Sequence, residues 1–245
     1  MFFYLLLIAI WEMAFRSRLW PEYLFPSPSG VFRSLGEGIK DGSLLLAAAV
    51  SMQRVITGFL ISLAGGILLG VALVRIRFLE ECFGPLLLGL QTLPSICWLP
   101  LAVLWFGMGE KAILFVVAAG SLFSIAISFV SGVKNISPLY RWVAKTMGAS
   151  GWQMFTTVIF PAALPSFVAG MKQGWSFAWR ALLAGELLSP QSGLGYVLVM
   201  GRDLHDMNLV VAVMVVIILL GLAVEKLFFA RVEASLRSRW GLDRA

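Results

Sequence analysis

Charge is scarce in this sequence. Asp, Glu, Lys and Arg together make up 13% of its 245 residues, while 60% are hydrophobic. A water-soluble domain of ordinary composition carries about 25% charged and about 45–50% apolar residues. Too little polar side chain is present to cover a surface facing water, which makes the lipid bilayer the solvent for most of the chain. Histidine occurs once, at His205, which excludes a multi-histidine metal site within one chain. Cys82 and Cys97 are too few for a disulfide framework and lack metal-ligand spacing. No Gly-Lys dipeptide occurs, so the Gly-Lys-Ser/Thr end of a phosphate-binding loop cannot be made. The net charge of +6 is modest and does not indicate nucleic acid. In a membrane protein such an excess gathers in cytoplasmic loops.

What the chain has in abundance is continuous apolar sequence without strand alternation, which predicts an all-α, polytopic membrane helix bundle. About 20 residues are needed to cross the hydrocarbon core. Six spans are expected, at about 1–15, 55–74, 85–106, 112–130, 166–188 and 209–229, in one transmembrane domain covering 1–245. The first run has no basic flank before it and no small-residue cleavage site after it, so it reads as a retained helix. The segment 16–50, rich in Pro and Gly, reads as an exposed connection with a short helical piece. Pro94 and Pro100 break the third span, and Pro161 and Pro165 are expected to end a short helix before the fifth.

If the connection 131–165 and the tail are cytoplasmic, that side holds Arg75, Arg77, Lys134, Arg141, Lys145, Lys226, Arg231, Arg237, Arg239 and Arg244. The opposite side holds Arg16, Arg18, Arg33, Lys40, Arg54, Lys111 and Arg202. The basic cluster directly after the last span is the most informative part of this bias. It predicts both termini in the cytoplasm. Small residues recur every fourth position at Gly58, Ser62, Gly66 and Gly70, and again at Gly170, Gly174 and Ala178. Small side chains let helix backbones approach closely in lipid. Packing within one bundle and contact at a subunit interface both fit these stripes.

The connection 131–165 carries the strongest local signal. Ser137-Pro138 is a helix start, with an N-cap residue followed by proline at the first helical position. Leu139, Trp142, Val143, Thr146 and Met147 recur at helical spacing on one face, while Arg141 and Lys145 fall four apart on another. Gly148 supplies a left-handed helix end. Ser150 opens a second short helix with Trp152, Phe155 and Ile159 on its apolar side. Such a unit suits docking into a partner's groove, and the same residues would let it lie on anionic headgroups.

Trp142-Val143-Ala144, three residues, Gly148, nine residues, then Val158-Ile159-Phe160-Pro161 resembles the EAA loop of permease subunits of bacterial ABC importers, the binding-protein-dependent transport family. Ala144, Gly148 and Pro161 match the pattern. Trp142 stands where the family usually has glutamate and Val143 where it has alanine, which makes the docking ridge more apolar. Leu93-Pro94-Ser95-Ile96-Cys97-Trp98-Leu99-Pro100, Leu104-Trp105-Phe106-Gly107-Met108-Gly109-Glu110 and Ser192-Gly193-Leu194-Gly195-Tyr196 resemble the nitrate, sulfonate, taurine and bicarbonate branch. The likeness runs from about Phe25 to Trp240.

The resemblance implies a type I importer permease fold in a bacterial inner membrane, with no cofactor and no catalytic residue in this chain. Implied partners are a second permease copy, most simply a homodimer, two cytoplasmic ATPase subunits that bind ATP and Mg, and an extracytoplasmic solute-binding protein. It assigns ATPase coupling to Trp142, Val143, Ala144, Lys145, Gly148 and Pro161. A charge inside a span costs about 2.5–3.5 kcal/mol on insertion scales and usually faces a protein interior. Arg180 lies about 22 Å beyond Pro165, too deep to snorkel easily. It either faces the path and favours an anionic solute, or partners Glu186 or a backbone carbonyl. Trp98, Trp175, Trp179 and Glu186 are the other candidates for the path. The rival functions are an ion-coupled secondary transporter, whose internal repeats are not evident here, and a membrane assembly subunit.

Overall fold

The structure, a computed structural model, describes residues 2–19, 21, 24–188 and 192–240. Met1 of the expected first span and Arg244 of the basic tail lie outside the described residues. Twelve α-helices follow one another among those residues: α1 (Phe2–Arg16), α2 (Pro28–Lys40), α3 (Ser43–Arg75), α4 (Arg77–Thr92), α5 (Leu99–Phe106), α6 (Glu110–Lys134), α7 (Pro138–Thr146), α8 (Gly151–Met154), α9 (Phe160–Leu187), α10 (Leu194–Asp203), α11 (Met207–Val224) and α12 (Ala230–Trp240). The chain divides into two compact units: Met1–Arg54 with Leu183–Leu222, and Val55–Leu182 with Ala223–Ala245.

Among the described residues, four continuous helices are long and apolar enough to cross a membrane: Ser43–Arg75, Glu110–Lys134, Gly151–Leu187 and Met207–Leu236. The pair Arg77–Thr92 and Ser95–Phe106 makes a fifth if counted together, bent by 106°. By length and composition, the described residues thus hold four or five of the six expected spans. The first, α1, has 15 residues, about 22 Å of helix, short of the roughly 30 Å hydrocarbon core.

The expected boundaries also shift. The second span starts at Ser43 rather than Val55, so a stretch read as connection is helix. The third is not a straight rod. Leu93 is held extended (ψ 126°) by the proline that follows it, and a 3-10 turn Ser95–Trp98 leads into α5, where Pro100 sits in the tolerated first turn. The fifth begins at Gly151 and passes through both Pro161 and Pro165. A π-turn at Phe155–Ile159 is the reason: the Phe160 amide donates to the Phe155 carbonyl, so the ladder is already widened where Pro161 has no N–H to give.

Within the larger unit, α6 is the central helix, buried along its length from Ala112 to Val133. Glycines bring its neighbours against it. A Cβ on Gly58 would lie 2.5 Å from Val117, on Gly66 2.8 Å from Ile125 and on Gly70 2.8 Å from Phe129. From α9, a Cβ on Gly170 would lie 2.1 Å from Ser128 and on Gly174 2.8 Å from Ile125. Ser62 donates to the Ala118 carbonyl at 3.0 Å and receives the Ser121 hydroxyl at 2.7 Å. Both small-residue stripes are thus spent on packing α3 and α9 against α6, within the chain.

In the smaller unit, Leu44 and Ala47 of α3 share a core with Leu194 of α10 and Val213 of α11. Trp11 of α1 donates to the Pro26 carbonyl at 3.0 Å. The Ser27 hydroxyl caps α2 by accepting from the Gly30 amide at 3.0 Å.

Candidate functional site

α7 is the amphipathic segment that the spacing predicts, and its apolar side is uncovered. Trp142 is 68% and Met147 81% exposed, with Leu139, Tyr140 and Val143 beside them. Large apolar side chains collected on one exposed face mark an interaction surface. Lys145 is exposed on a neighbouring face, while Ala144 is buried and points back into the larger unit. Arg141 donates to the Val133 carbonyl at 3.0 Å, fixing α7 to the end of α6.

The C-terminus of α7 closes on itself. Gly148 has φ +83°, a left-handed conformation that costs glycine nothing. The Gly148 amide donates to Lys145 at 3.0 Å and the Ala149 amide to Ala144 at 2.9 Å, a Schellman arrangement that satisfies the last carbonyls. Ser137 and Ser150 occupy N-cap positions but make no side-chain capping bond. Beyond the bend, Trp152 stacks on Phe155 at 5.5 Å, and the Arg75 guanidinium lies 5.4 Å over the Trp152 ring. Pro161 lies inside the long helix, well past this surface.

The path candidates separate. Glu186 is fully buried and does not line a path surface. Its oxygens accept from the Ser51 hydroxyl at 2.8 Å, from the Arg54 guanidinium at 2.9 Å and from the Gly195 amide at 2.9 Å. Ser51 in turn accepts from the Leu194 amide at 2.8 Å, and Arg54 also donates to the Ser192 carbonyl. This knot joins α3, the end of α9 and the start of α10, and it explains the Ser192–Tyr196 motif. A Cβ on Gly195 would lie 2.5 Å from that of Glu186. Of the alternatives for Arg180, the pairing with Glu186 is not made: the cation of Glu186 is Arg54.

Trp98 and Trp175 are half-buried, and each packs against other aromatic rings. Trp98 lies 6.4 Å from Phe115 and 5.9 Å from Phe123. Trp175 packs edge-on to Phe59 at 5.3 Å and stacks with the half-buried Trp179 at 6.4 Å. Arg180 is exposed, its Nε donating to the Ser176 carbonyl at 3.1 Å and its guanidinium lying 4.8 Å from the Phe177 ring centre. Lys172 pairs with Glu225 and, at 3.6 Å, with Glu233. Ser51 and Arg54 escaped the sequence reading although they stand three apart on one helix, the spacing of a shared face. Gln173 and Ser176, on the exposed side of α9 with Arg180, escaped it too.

Comparison with known proteins agrees with this geometry. Residues 62–238 match the family model described as binding-protein-dependent transport system inner membrane component. An ABC transporter permease protein of Methanocaldococcus jannaschii is 36% identical over 76% of this chain and 70% of its own length. The aliphatic sulfonates transport permease SsuC of Escherichia coli is 32% identical over 88% of this chain and 82% of its own. The taurine permease TauC of Escherichia coli is 28% identical, over 90% and 82%. Among solved structures, the inward-facing MetNI methionine ABC transporter aligns with a TM-score of 0.68 at 17% identity, over 79% of this chain and 96% of the matched one.

Proposed function

The chain belongs to the inner membrane components of binding-protein-dependent transport systems, the permease subunits of ATP-driven importers, and from that premise we propose how this member works. α7 is the coupling helix. Its exposed ridge of Leu139, Trp142, Val143 and Met147 inserts into a groove on a cytoplasmic ATPase subunit, with Arg141 and Lys145 flanking it. Two copies of this chain pair around a central path, two ATPase subunits bind ATP and Mg beneath them, and a solute-binding protein delivers from the opposite side. α7 and the basic tail lie in the cytoplasm.

The observation that carries this reading is the uncovered apolar ridge on α7 in a chain of this family. A Trp142 side chain so exposed has no folding role that repays it, and burial on a partner removes apolar area from water. Fixed to α6 through Arg141 and to the long helix through the Gly148 bend, α7 passes the closing motion of the ATPase pair to the spans. The two conformations of the bundle are then biased by ligands at separate sites, as alternating access requires. The solute is a small molecule bearing an anionic oxygen group, supported by relatives named for aliphatic sulfonates, taurine and nitrate.

Co-purification with the ATPase subunit tests the reading. Wild-type chain brings the ATPase with it. Trp142→Ala with Met147→Ala weakens the complex by about 2 kcal/mol or more, roughly 30-fold, without changing the thermal midpoint of the isolated chain. Solute transport by the isolated chain in liposomes, driven by an ion gradient without ATP, would overturn it.

A further inference from the structure

α9 is unusual in what it leaves uncovered. The exposed side of α3 includes Leu60, Ile61 and Leu68, and that of α11 includes Met214, Ile218, Leu219 and Leu222, as a surface against lipid should. α6 is enclosed. By contrast, apart from the exposed end residues Phe160 and Leu187, no described large apolar side chain of α9 is exposed. The exposed residues between those ends are Ser166, Ala169, Gln173, Ser176 and Arg180. At about 100° per residue these five fall within an arc of about 80°. The buried Gly170, Gly174, Ala178 and Ala181 occupy another side of the helix.

Hydrocarbon is the wrong surroundings for this stripe. Arginine has five N–H donors and cannot be deprotonated in a protein. Among the described residues Arg180 spends one donor, on the Ser176 carbonyl, and pairs with no carboxylate. The side chains of Gln173 and Ser176 make no hydrogen bond among those residues. Ser176 stands about 6 Å and Gln173 about 10 Å along the axis from Arg180. The stripe therefore offers a fixed positive charge followed by neutral donors, on a helix otherwise packed by glycine.

We propose that this stripe is the wall of the translocation path and that Arg180, Ser176 and Gln173 form a transient site for a small oxyanion of the sulfonate or nitrate type. The assignment rests on the importer reading and deepens it. A guanidinium matches the planar spread of two anionic oxygens, and a hydroxyl and an amide N–H continue the contact along the axis. A single cation suits passage, because an anion held by several would not leave.

Thiol accessibility tests this without knowledge of the solute. In the complex with its ATPase, reconstituted in nanodiscs on a Cys82→Ser, Cys97→Ser background, Gln173→Cys and Ser176→Cys are exposed to sulfonatoethyl and trimethylammonioethyl methanethiosulfonate. Rates are normalised to those of free thiol. The anionic reagent reacts with Ser176→Cys about fivefold faster than the cationic one, from Coulomb attraction to Arg180. Arg180→Gln abolishes the preference, Arg180→Lys keeps it, and Ile218→Cys stays unlabelled by either.

Two results would overturn the site. One is no labelling of either stripe position, meaning that a second copy or lipid headgroups cover the face. The other is labelling whose charge preference ignores Arg180. Failure of the importer reading shows separately, as a chain that purifies without an ATPase.

Discussion

The guanidinium of Arg54 and the carboxylate of Glu186 meet at 2.9 Å with 4% and 0% of their side chains exposed, although 132 residues separate them in sequence. Neither charge has an alternative in water. Arg54→Ala leaves Glu186 buried without its cation, a loss of about 3–5 kcal/mol. The expected result is a sharp fall in the thermal midpoint of the purified chain in detergent. Arg54→Met combined with Glu186→Leu should cost less than Arg54→Ala alone.

Gly195 tests the same knot by volume rather than charge. A methyl group there meets the Cβ of Glu186 at 2.5 Å and its backbone carbon at 3.1 Å, so no rotamer change relieves the clash. Gly195→Ala should destabilise by about 1–3 kcal/mol or more. Gly36→Ala, with nothing within 4 Å of its added carbon, is the control and should leave the midpoint unchanged or raised.

Contact between α9 and α6 offers a reciprocal pair. Gly170→Ala would place its Cβ 2.1 Å from that of Ser128 and should lower the thermal midpoint by the equivalent of about 1–3 kcal/mol. Ser128→Gly in the same chain removes the obstructing carbon. The double variant should recover most of the loss, and a failure to recover would mean the two helices do not approach here.

Gly148 separates the shape of α7 from its surface. Alanine at φ +83° costs roughly 1–2 kcal/mol, yet the ridge residues are untouched. Gly148→Ala should therefore retain ATPase binding at reduced affinity while lowering ATP-driven uptake more than it lowers binding. Equal losses in the two measurements would point to the ridge, not the bend.

Composition and periodicity were enough to read the helical membrane class, and local chemistry placed α7 and its left-handed end at Gly148. These features depend on neighbours within a turn or two. The partner of Glu186 does not. Arg54 was assigned to a loop edge because Gly36, Gly38 and Gly42 made the preceding stretch resemble a connection, while α3 in fact starts at Ser43. Once that helix is extended, Ser51 and Arg54 share a face and the buried acid has its partner. Proline misled in a different way. At Pro161 the stop rule fails because the π-turn before it has already given up the regular hydrogen-bond spacing. The exposed polar arc of α9 has helical spacing in the sequence, but four of its five residues are uncharged and only Arg180 carries a signal of its own.

With α6 gripped on one side by the glycines of α3 and on the other by those of α9, the three helices form a unit of inheritance. A bulkier side chain acquired by any of them pushes the middle rod against the third. Chimeras that borrow α3, α6 and α9 together from a relative should assemble, whereas a graft of α6 alone inherits knobs without their holes.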